Sequence, residues 1–333
     1  MTRIATLPKA ELHLHVEGTL EPELAFALAA RNGVDLGFAD VDALRAGYEF
    51  DDLQSFLDLY YACMTVLRER RDFAELATAY LERAHVDGVQ HAELFFDPQV
   101  HAANGVAIDD VIDGLLDALR DAAGRFGMSG GLILCFVRDQ SVDSAAATLE
   151  AVAHRAGDLL GVGLDSAEVG YPPALFAGVF ARAAELGLHR VAHAGEEGPP
   201  AYVVEALDAL GAERIDHGIR SIEDPALLAR LAASGVPLTV CPLSNVRLRA
   251  APTIGEHPLR RLLAAGVQVT INSDDPAYFG GYVADNYRAV ADAFALDDDE
   301  LARLAAASVR ASFAAPERKR ELLDAVQAWR AAR

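Results

Sequence analysis

Short runs of apolar residues alternate along the chain with longer stretches in which apolar residues recur every three to four positions. The short runs have the length of buried strands, and the longer stretches have the period of amphipathic helices, many of which close on glycine. Eight strands are indicated, beginning at Ala10, Val89, Gly130, Gly161, Arg190, Arg214, Pro237 and Val267. Strands that alternate with helices favour parallel βαβ units, and eight of them favour a closed α/β (β/α)8 TIM barrel. The main alternative at this point is an open doubly wound sheet.

One connection is longer than a barrel requires. Between residue 21 and about residue 87 the pattern is mostly helical, although a single helix would connect two neighbouring strands. We expect the excess to pack over the C-terminal mouth of the barrel as a lid, and a merely stabilising flank is the alternative. Because no low-complexity linker interrupts the chain, residues 1–333 are interpreted as one domain.

Composition and charge narrow the range of partners. The chain has 333 residues, of which 52% are hydrophobic and 24% are charged, as in an ordinary soluble globular protein. The formal net charge of −21 repels nucleic-acid phosphates and anionic membrane surfaces, so we expect neither partner. We see no run of ~18 apolar residues that would predict a membrane span.

Cysteine usage points to a reducing compartment. Cys63, Cys135 and Cys241 are odd in number, far apart and outside any CxxC pair, so the sequence indicates no disulfide framework. The N-terminal segment also lacks the apolar core of a signal peptide. Together these features predict a cytoplasmic protein.

Four of the ten histidines lie at or near predicted strand ends. They are His13, His15, His193 and His217. In a barrel, the carboxyl ends of the strands meet at one mouth, where active sites lie. His13 and His15 are two positions apart on a strand, so their side chains point to one face and can bind a metal ion together.

Acidic residues occur at the same strand ends. Glu17 follows the first strand, Glu196 follows the fifth, and Asp274 and Asp275 end the eighth. Three imidazoles and one carboxylate can hold Zn²⁺ and leave a position for water. Adjacent carboxylates repel each other, and a cation that binds one of them offsets this cost. The alternative for a lone acid at a strand end is a helix N-cap, a role open to Asp275 before Pro276.

These motifs resemble those of the adenosine/adenine deaminase family of metal-dependent amidohydrolases. The matching segments run in one order from Leu7 to Pro276: "LPKAELHLHVEGTL", "HAGE", "RIDHGIRS", "CPLSN" and "TINSDDP". The resemblance implies a hydrolase with a (β/α)8 barrel and one Zn²⁺ at its mouth, or another divalent metal such as Fe²⁺.

The resemblance also implies roles for individual residues. The metal ligands would be His13, His15, His193 and Asp274. Glu196 would protonate the purine ring at N1, and His217 would orient or deprotonate the attacking water. Asp275 would hydrogen-bond to purine N7.

Two positions depart from the pattern of the nucleoside enzymes. Those enzymes typically carry aspartate in the loop after HxH, on the ribose side, where this chain has Glu17. They also carry a glycine near purine N3, where the alignment places Glu168. A carboxylate there would crowd ribose and would accept a hydrogen bond from the N9–H that only a free base carries. The segments "LDSAEVG" and "SDDPAYFGGYV" are also closer to the adenine deaminase branch.

We therefore expect an enzyme of purine salvage that converts adenine to hypoxanthine and ammonia by attack of a metal-activated water on C6. Adenosine and N6-substituted adenines are the alternative substrates, and nucleotides are disfavoured because no Lys/Arg cluster accompanies the motifs. A barrel that binds a purine without catalysis is a further alternative, although such a protein has no need of Glu196 and His217. The oligomeric state is not indicated by the sequence.

Overall fold

Eight parallel strands form one sheet whose order follows the chain from β1 to β8. This computed structural model describes residues 3–332. The strands are Lys9–Glu11 (β1), Val89–Phe96 (β2), Ser129–Val137 (β3), Leu159–Asp165 (β4), His189–Ala194 (β5), Arg214–His217 (β6), Leu238–Val240 (β7) and Val269–Ile271 (β8). Each strand lies at one of the eight apolar runs. The barrel prediction is therefore confirmed, and the open doubly wound sheet, whose strand order would not follow the chain, is wrong.

The sheet closes on itself between its first and last strands. Past the end of β1, the N–H of Asp274 donates to the carbonyl of His13 and the N–H of His15 donates to the carbonyl of Asp274, both at 3.1 Å. The N–H of Leu12 donates instead to a side chain, Oδ1 of Asn272, at 3.0 Å. A buried amide side chain thus replaces one ladder bond, so β1 is shorter than the apolar run predicts.

Helices surround the barrel and cover its mouth. Within residues 3–332 they are Pro22–Asn32 (α1), Val41–Ala46 (α2), Leu53–Met64 (α3), Arg70–Val86 (α4), Pro98–Ala103 (α5), Ile108–Phe126 (α6), Val142–Val152 (α7), Ala177–Glu185 (α8), Pro200–Asp208 (α9), Pro225–Ser234 (α10), Pro242–Arg247 (α11), Leu259–Ala264 (α12), Pro276–Phe279 (α13), Val283–Phe294 (α14), Asp298–Ala311 (α15) and Pro316–Ala331 (α16). None of these helices combines the length and the hydropathy that a bilayer crossing needs.

Several of the surrounding helices bury one face against the strands. The longest, α6, buries Val111, Leu115 and Leu119 at helical spacing, and Gly127 ends it in the left-handed conformation (φ 64°). Gly114 lets α6 approach α4 closely, because a Cβ at this position would lie 2.3 Å from the carbonyl oxygen of Arg70.

A small apolar cluster fills the inside of the barrel and forms the floor of the mouth. It consists of Phe95, Ile133, Cys135 and Val191, all fully buried. The ring of Phe95 packs against two of the predicted metal ligands, with centroids 5.3 Å from His13 and 5.1 Å from His15. The barrel core therefore supports the imidazoles from below.

The extra segment between β1 and β2 lies over the mouth, as predicted. Its third helix, α3, begins with a capping box in which Asp52 and Ser55 bond each other's backbone N–H groups. Apolar side chains of this helix, among them Phe56 and Tyr60, share a cavity with residues at the strand ends. A buried cavity under α3 is where a substrate would be shielded from water.

We expect the substitution Asn272→Ala to destabilise the protein by about 1–3 kcal/mol, because the buried N–H of Leu12 would lose its acceptor. Urea unfolding followed by circular dichroism measures this change. The matched control is Gln54→Ala, which removes an amide bonded only to exposed Asp58 and should shift stability by less than about 0.5 kcal/mol. Equal effects of the two substitutions would contradict a role for Asn272 in closing the barrel.

Candidate active site

A cavity at the carboxyl ends of the strands joins the lid to the barrel. Its outer wall is apolar and aromatic, and consists of Leu53, Phe56, Leu57, Tyr60, Tyr61, Leu248 and Phe279. Its inner wall is polar, and consists of His15, Asp97, Asp165, Ser166, His193, Glu196, His217, Asp274 and Asp275. An apolar slot with a few convergent polar groups is the usual form of a small-molecule site.

The four predicted metal ligands come together at the bottom of this cavity. One ring nitrogen from each of His13, His15 and His193 and one oxygen of Asp274 all lie within 4.8 Å of one another. Nε2 of His15 lies 3.2 Å from Nε2 of His193, and Nε2 of His13 lies 3.1 Å from Oδ1 of Asp274. All four residues are buried.

Backbone carbonyls orient two of the imidazoles toward this point. Nδ1 of His13 lies 3.0 Å from the carbonyl oxygen of Thr239, and Nδ1 of His193 lies 3.0 Å from that of Leu164. A carbonyl only accepts, so each Nδ1 carries the proton and each Nε2 keeps its lone pair. Nε2 of His13 is buried without a hydrogen bond within residues 3–332. Bare nitrogens that converge with a carboxylate fit a divalent cation with tetrahedral ligands.

Two other groups of possible ligands share members with this one. The first replaces two of the histidines by His217 and Cys241, and the second joins His15 to Asp97 and Asp165. Burial raises the pKa of the Cys241 thiol well above its ordinary value, and a protonated thiol is a poor ligand. The set of three histidines and Asp274 therefore fits a metal ion best.

The adjacent acids Asp274 and Asp275 have different surroundings. Burial alone would raise the pKa of Asp274, but the imidazoles of His13 and His217 hold it well below the ordinary value. Burial, with repulsion from Asp274, raises the pKa of Asp275. Asp275 precedes α13, but its side chain does not cap that helix, and its Oδ1 has no hydrogen-bond partner among the described residues. The N-cap alternative for Asp275 is therefore wrong.

Glu196 and His217 face each other across the inner wall. Nε2 of His217 lies 3.5 Å from Oε2 of Glu196 and 3.7 Å from Oδ2 of Asp274. Burial raises the pKa of Glu196 well above its ordinary value, and the charge of Asp274 adds to the effect. Burial lowers the pKa of His217 to about 3. The raised pKa of Glu196 and the lowered pKa of His217 favour a carboxylic acid beside a neutral imidazole, an arrangement suited to proton donation.

The backbone is unusual at two of these positions. His217 (φ 59°) and Asp274 (φ 65°) adopt the left-handed conformation that residues other than glycine rarely adopt. Such conformations cost free energy and cluster at active sites. His217 ends β6 and Asp274 lies beyond the end of β8, and both line the cavity.

Glu168 lies behind the loop that follows β5 instead of in the cavity. Its Oε1 accepts from the N–H of Gly195 at 2.6 Å, and its Oε2 accepts from those of Glu196, Glu197 and Gly198 at 3.1, 2.9 and 2.7 Å. Because four backbone donors already occupy this buried carboxylate, the expected contact with purine N9–H is not supported. The alignment located the residue along the chain but not the direction of its side chain.

Glu17 is also turned away from the cavity. Its Oε1 accepts from the N–H of Asp97 at 3.1 Å and bonds Nε2 of His101 at 2.8 Å. The side chain is fully buried and does not line the cavity. Glu17 thus joins the loop after β1 to the start of α5, and the structure gives no support to a contact with ribose.

Two cavity residues did not stand out in the sequence. Asp97 and Asp165 follow β2 and end β4, respectively, and both line the cavity. Burial and repulsion from Asp165 raise the pKa of Asp97, and burial raises that of Asp165 to about 7. Their position in the sequence could have identified them, because each acid lies at the carboxyl end of a predicted strand, as Asp274 does.

Relatives match nearly the whole chain. The sequence model of a family described as "Adenosine deaminase" matches residues 8–329. The adenine deaminase of Streptomyces coelicolor is 63% identical over 307 residues, which cover 92% of this chain and 90% of that protein. The crystal structure of adenine deaminase from Arthrobacter aurescens has a TM-score of 0.96 at 55% identity, and the match covers 98% of this chain and 100% of that one. An amidohydrolase from Burkholderia ambifaria with bound Zn has a TM-score of 0.90 at 28% identity, with coverage of 99% and 94%.

The purified protein is expected to carry about one divalent metal ion per chain, and His193→Ala is expected to lose it. The loss should exceed the roughly 10–100-fold drop in affinity that follows removal of an outer partner of a ligand. Elemental analysis and competition with a chelator measure the affinity. The control is His154→Ala, because the side chain of His154 is 63% exposed. Retention of metal by His193→Ala would contradict the assigned ligand set.

Proposed function

The chain belongs to the adenosine deaminase family, and we propose that it hydrolyses free adenine to hypoxanthine and ammonia. Adenine deaminases that match nine-tenths or more of the chain at 55–63% identity support this substrate. The protein is a hydrolase that acts on the C6–N bond of the purine. Residues 1–333 are proposed to form a single metal-dependent (β/α)8 domain.

The residues that line the cavity favour a free base as the substrate over a nucleotide or a nucleoside. Among the described residues that line the cavity, five are Asp or Glu and none is Lys or Arg. Carboxylates with no Lys or Arg side chain among them disfavour a phosphate, so a nucleotide fits poorly. A free base offers one more N–H than a nucleoside, at N9 or N7, and Asp97 and Asp165 provide acceptors for it. The aromatic side chains of α3 then cover the planar ring.

We propose Zn²⁺ as the metal, held by His13, His15, His193 and Asp274. Three imidazoles and a carboxylate are common zinc ligands, and a relative of the same fold contains bound Zn. Fe²⁺ also takes imidazole and carboxylate ligands, and elemental analysis distinguishes the two. A divalent cation in this position lowers the pKa of a water that it binds from ~16 toward ~7.

Side chains of the protein transfer the protons and hold the purine in position. Glu196, protonated because of its raised pKa, donates to N1 as the attacking oxygen bonds to C6 and the C6–N1 π electrons move to N1. Asp275 holds N7, and its raised pKa allows its carboxyl group to donate there. His217 orients the attacking water. The exocyclic amino group then leaves as ammonia with one proton of the attacking water, and Glu196 recovers the other, so one water is consumed for each hypoxanthine formed.

A cytoplasmic location stays a prediction. Cys63, Cys135 and Cys241 are all buried and free. Such buried thiols are typical of proteins from reducing compartments and support the prediction.

A substrate panel tests the proposed function. Ammonia release should be fastest with adenine, and kcat/KM for adenosine, AMP, N6-methyladenine and N6-isopentenyladenine should each be lower by at least about 10²-fold. For adenosine and AMP the physical reason is that ribose displaces the N–H donor and leaves buried carboxylates unpaired. A kcat/KM for adenosine equal to or above that for adenine would refute the proposal.

The substitution Glu196→Gln is expected to lower kcat for adenine by about 10²–10⁴-fold, because an amide cannot transfer the proton to N1. Metal content should stay at the wild-type value, since Glu196 is not a proposed ligand. Glu197→Gln is the matched control from the same loop, because its side chain does not line the cavity. Wild-type turnover by Glu196→Gln would remove Glu196 from the role of acid.

A further inference from the structure

A row of buried polar side chains leads from α12 to the cavity. It begins at His257, before α12, continues through Asn245 on α11 and ends at His217, the last residue of β6. Their side chains are almost completely buried, with residue exposures of 3%, 0% and 1%. Nε2 of His257 lies 3.1 Å from Oδ1 of Asn245, and Nδ2 of Asn245 lies 3.1 Å from Nδ1 of His217. Neither His257 nor Asn245 lines the cavity, so neither reaches the substrate.

A backbone N–H fixes the direction of every hydrogen bond in this row. The N–H of Leu259 donates to Nδ1 of His257 at 3.1 Å. A backbone N–H only donates, so Nδ1 of His257 is bare and its proton is on Nε2. Burial lowers the pKa of His257 to about 4, so the ring is neutral and has this one N–H. Nε2–H of His257 therefore donates to Oδ1 of Asn245.

The orientation of the Asn245 amide then determines the tautomer of His217. With its oxygen facing His257, Asn245 presents its NH₂ group to Nδ1 of His217. The same NH₂ group lies 3.4 Å from Oε1 of Glu196. A reversed amide would place NH₂ against the N–H of His257, which is a clash of donors. Nδ1 of His217 is thus an acceptor, and the neutral ring carries its proton on Nε2.

We propose that Asn245 and His257 are positioning residues that hold His217 in its Nε2–H tautomer, so that His217 gives the attacking oxygen a hydrogen-bond donor instead of a base. The inference rests on the proposed function for its catalytic meaning, but the tautomer is a property of the protein alone. Glu196 then donates its proton to N1 and, as a carboxylate, receives the proton that the water loses when its oxygen bonds to C6.

The substitution Asn245→Asp reverses the hydrogen bond to His217, and the new side chain has nearly the same size and shape as the old one. A carboxylate accepts from both neighbours, so His217 must carry its proton on Nδ1 and leave Nε2 bare. Asn245→Ala removes the contact and leaves both tautomers accessible. The two variants separate the loss of a partner from the enforcement of the wrong tautomer.

Two-bond ¹H–¹⁵N correlation spectra of the zinc-loaded protein labelled at histidine measure the tautomer directly. We expect Nδ1 of His217 to be bare and Nε2 protonated in the wild type, and the reverse in Asn245→Asp. The His217 signals are assigned by their loss in His217→Gln. His101, whose Nε2 faces the Glu17 carboxylate, is the internal control and should not change. A wild-type spectrum with Nδ1–H and bare Nε2 on His217 would overturn the proposal, whether or not the variants fold.

Steady-state kinetics with adenine tests the role of the donor. We expect kcat of Asn245→Asp to fall by about 10²-fold or more, as for other catalytic histidines forced into the wrong tautomer. KM and metal content should change little, and Asn245→Ala should lose less activity. An inverted tautomer with wild-type kcat would show that His217 acts as a base, and the donor role would be wrong. Failure of the wild type to deaminate adenine would refute the proposed function and leave the tautomer result standing.

Discussion

The convergence of three imidazole nitrogens and a carboxylate within 4.8 Å is the constraint on which the rest of the structure depends. Such a cluster is unfavourable in a dry interior without a cation, because lone pairs and a negative charge face each other. The same segments also close the barrel, since His13 and His15 exchange backbone hydrogen bonds with Asp274. Binding of a metal ion by these residues would therefore be coupled to barrel closure, and would stabilise the whole fold by mass action.

Neighbouring carboxyl groups in the cavity take different roles because their partners differ. Asp274 stays ionised beside imidazoles, whereas burial and neighbouring negative charge favour the protonated forms of Glu196 and Asp275. Separating the pKa values of adjacent acids is a general way to obtain both a ligand and a proton donor at one pH. The lid contributes by excluding water, which would otherwise solvate the acids and return their pKa values toward the ordinary range.

Strand and helix periodicity predicted the barrel and the placement of the lid, because both depend on local apolar patterns. The clustering of His13, His15, His193 and Asp274 followed from the same pattern, since parallel strand ends share one mouth. The direction of side chains within loops could not be predicted from this pattern. Glu168 and Glu17 turn toward backbone N–H groups that only the folded chain brings near. The contact between His257 and Asn245 depends on the path of the loop between α11 and α12, for which the sequence holds no periodic signal.

The four backbone N–H groups that converge on Glu168 have a consequence for enzyme engineering. The loop that carries Glu196 is held in place by a side chain from the segment after β4, so its shape is not determined by its own sequence. An engineer who replaced Glu168 by glycine to make room for a sugar would not widen the substrate slot. The change would release the loop that carries Glu196, the proposed proton donor, so redesign of specificity has to begin elsewhere, at the acids that line the cavity.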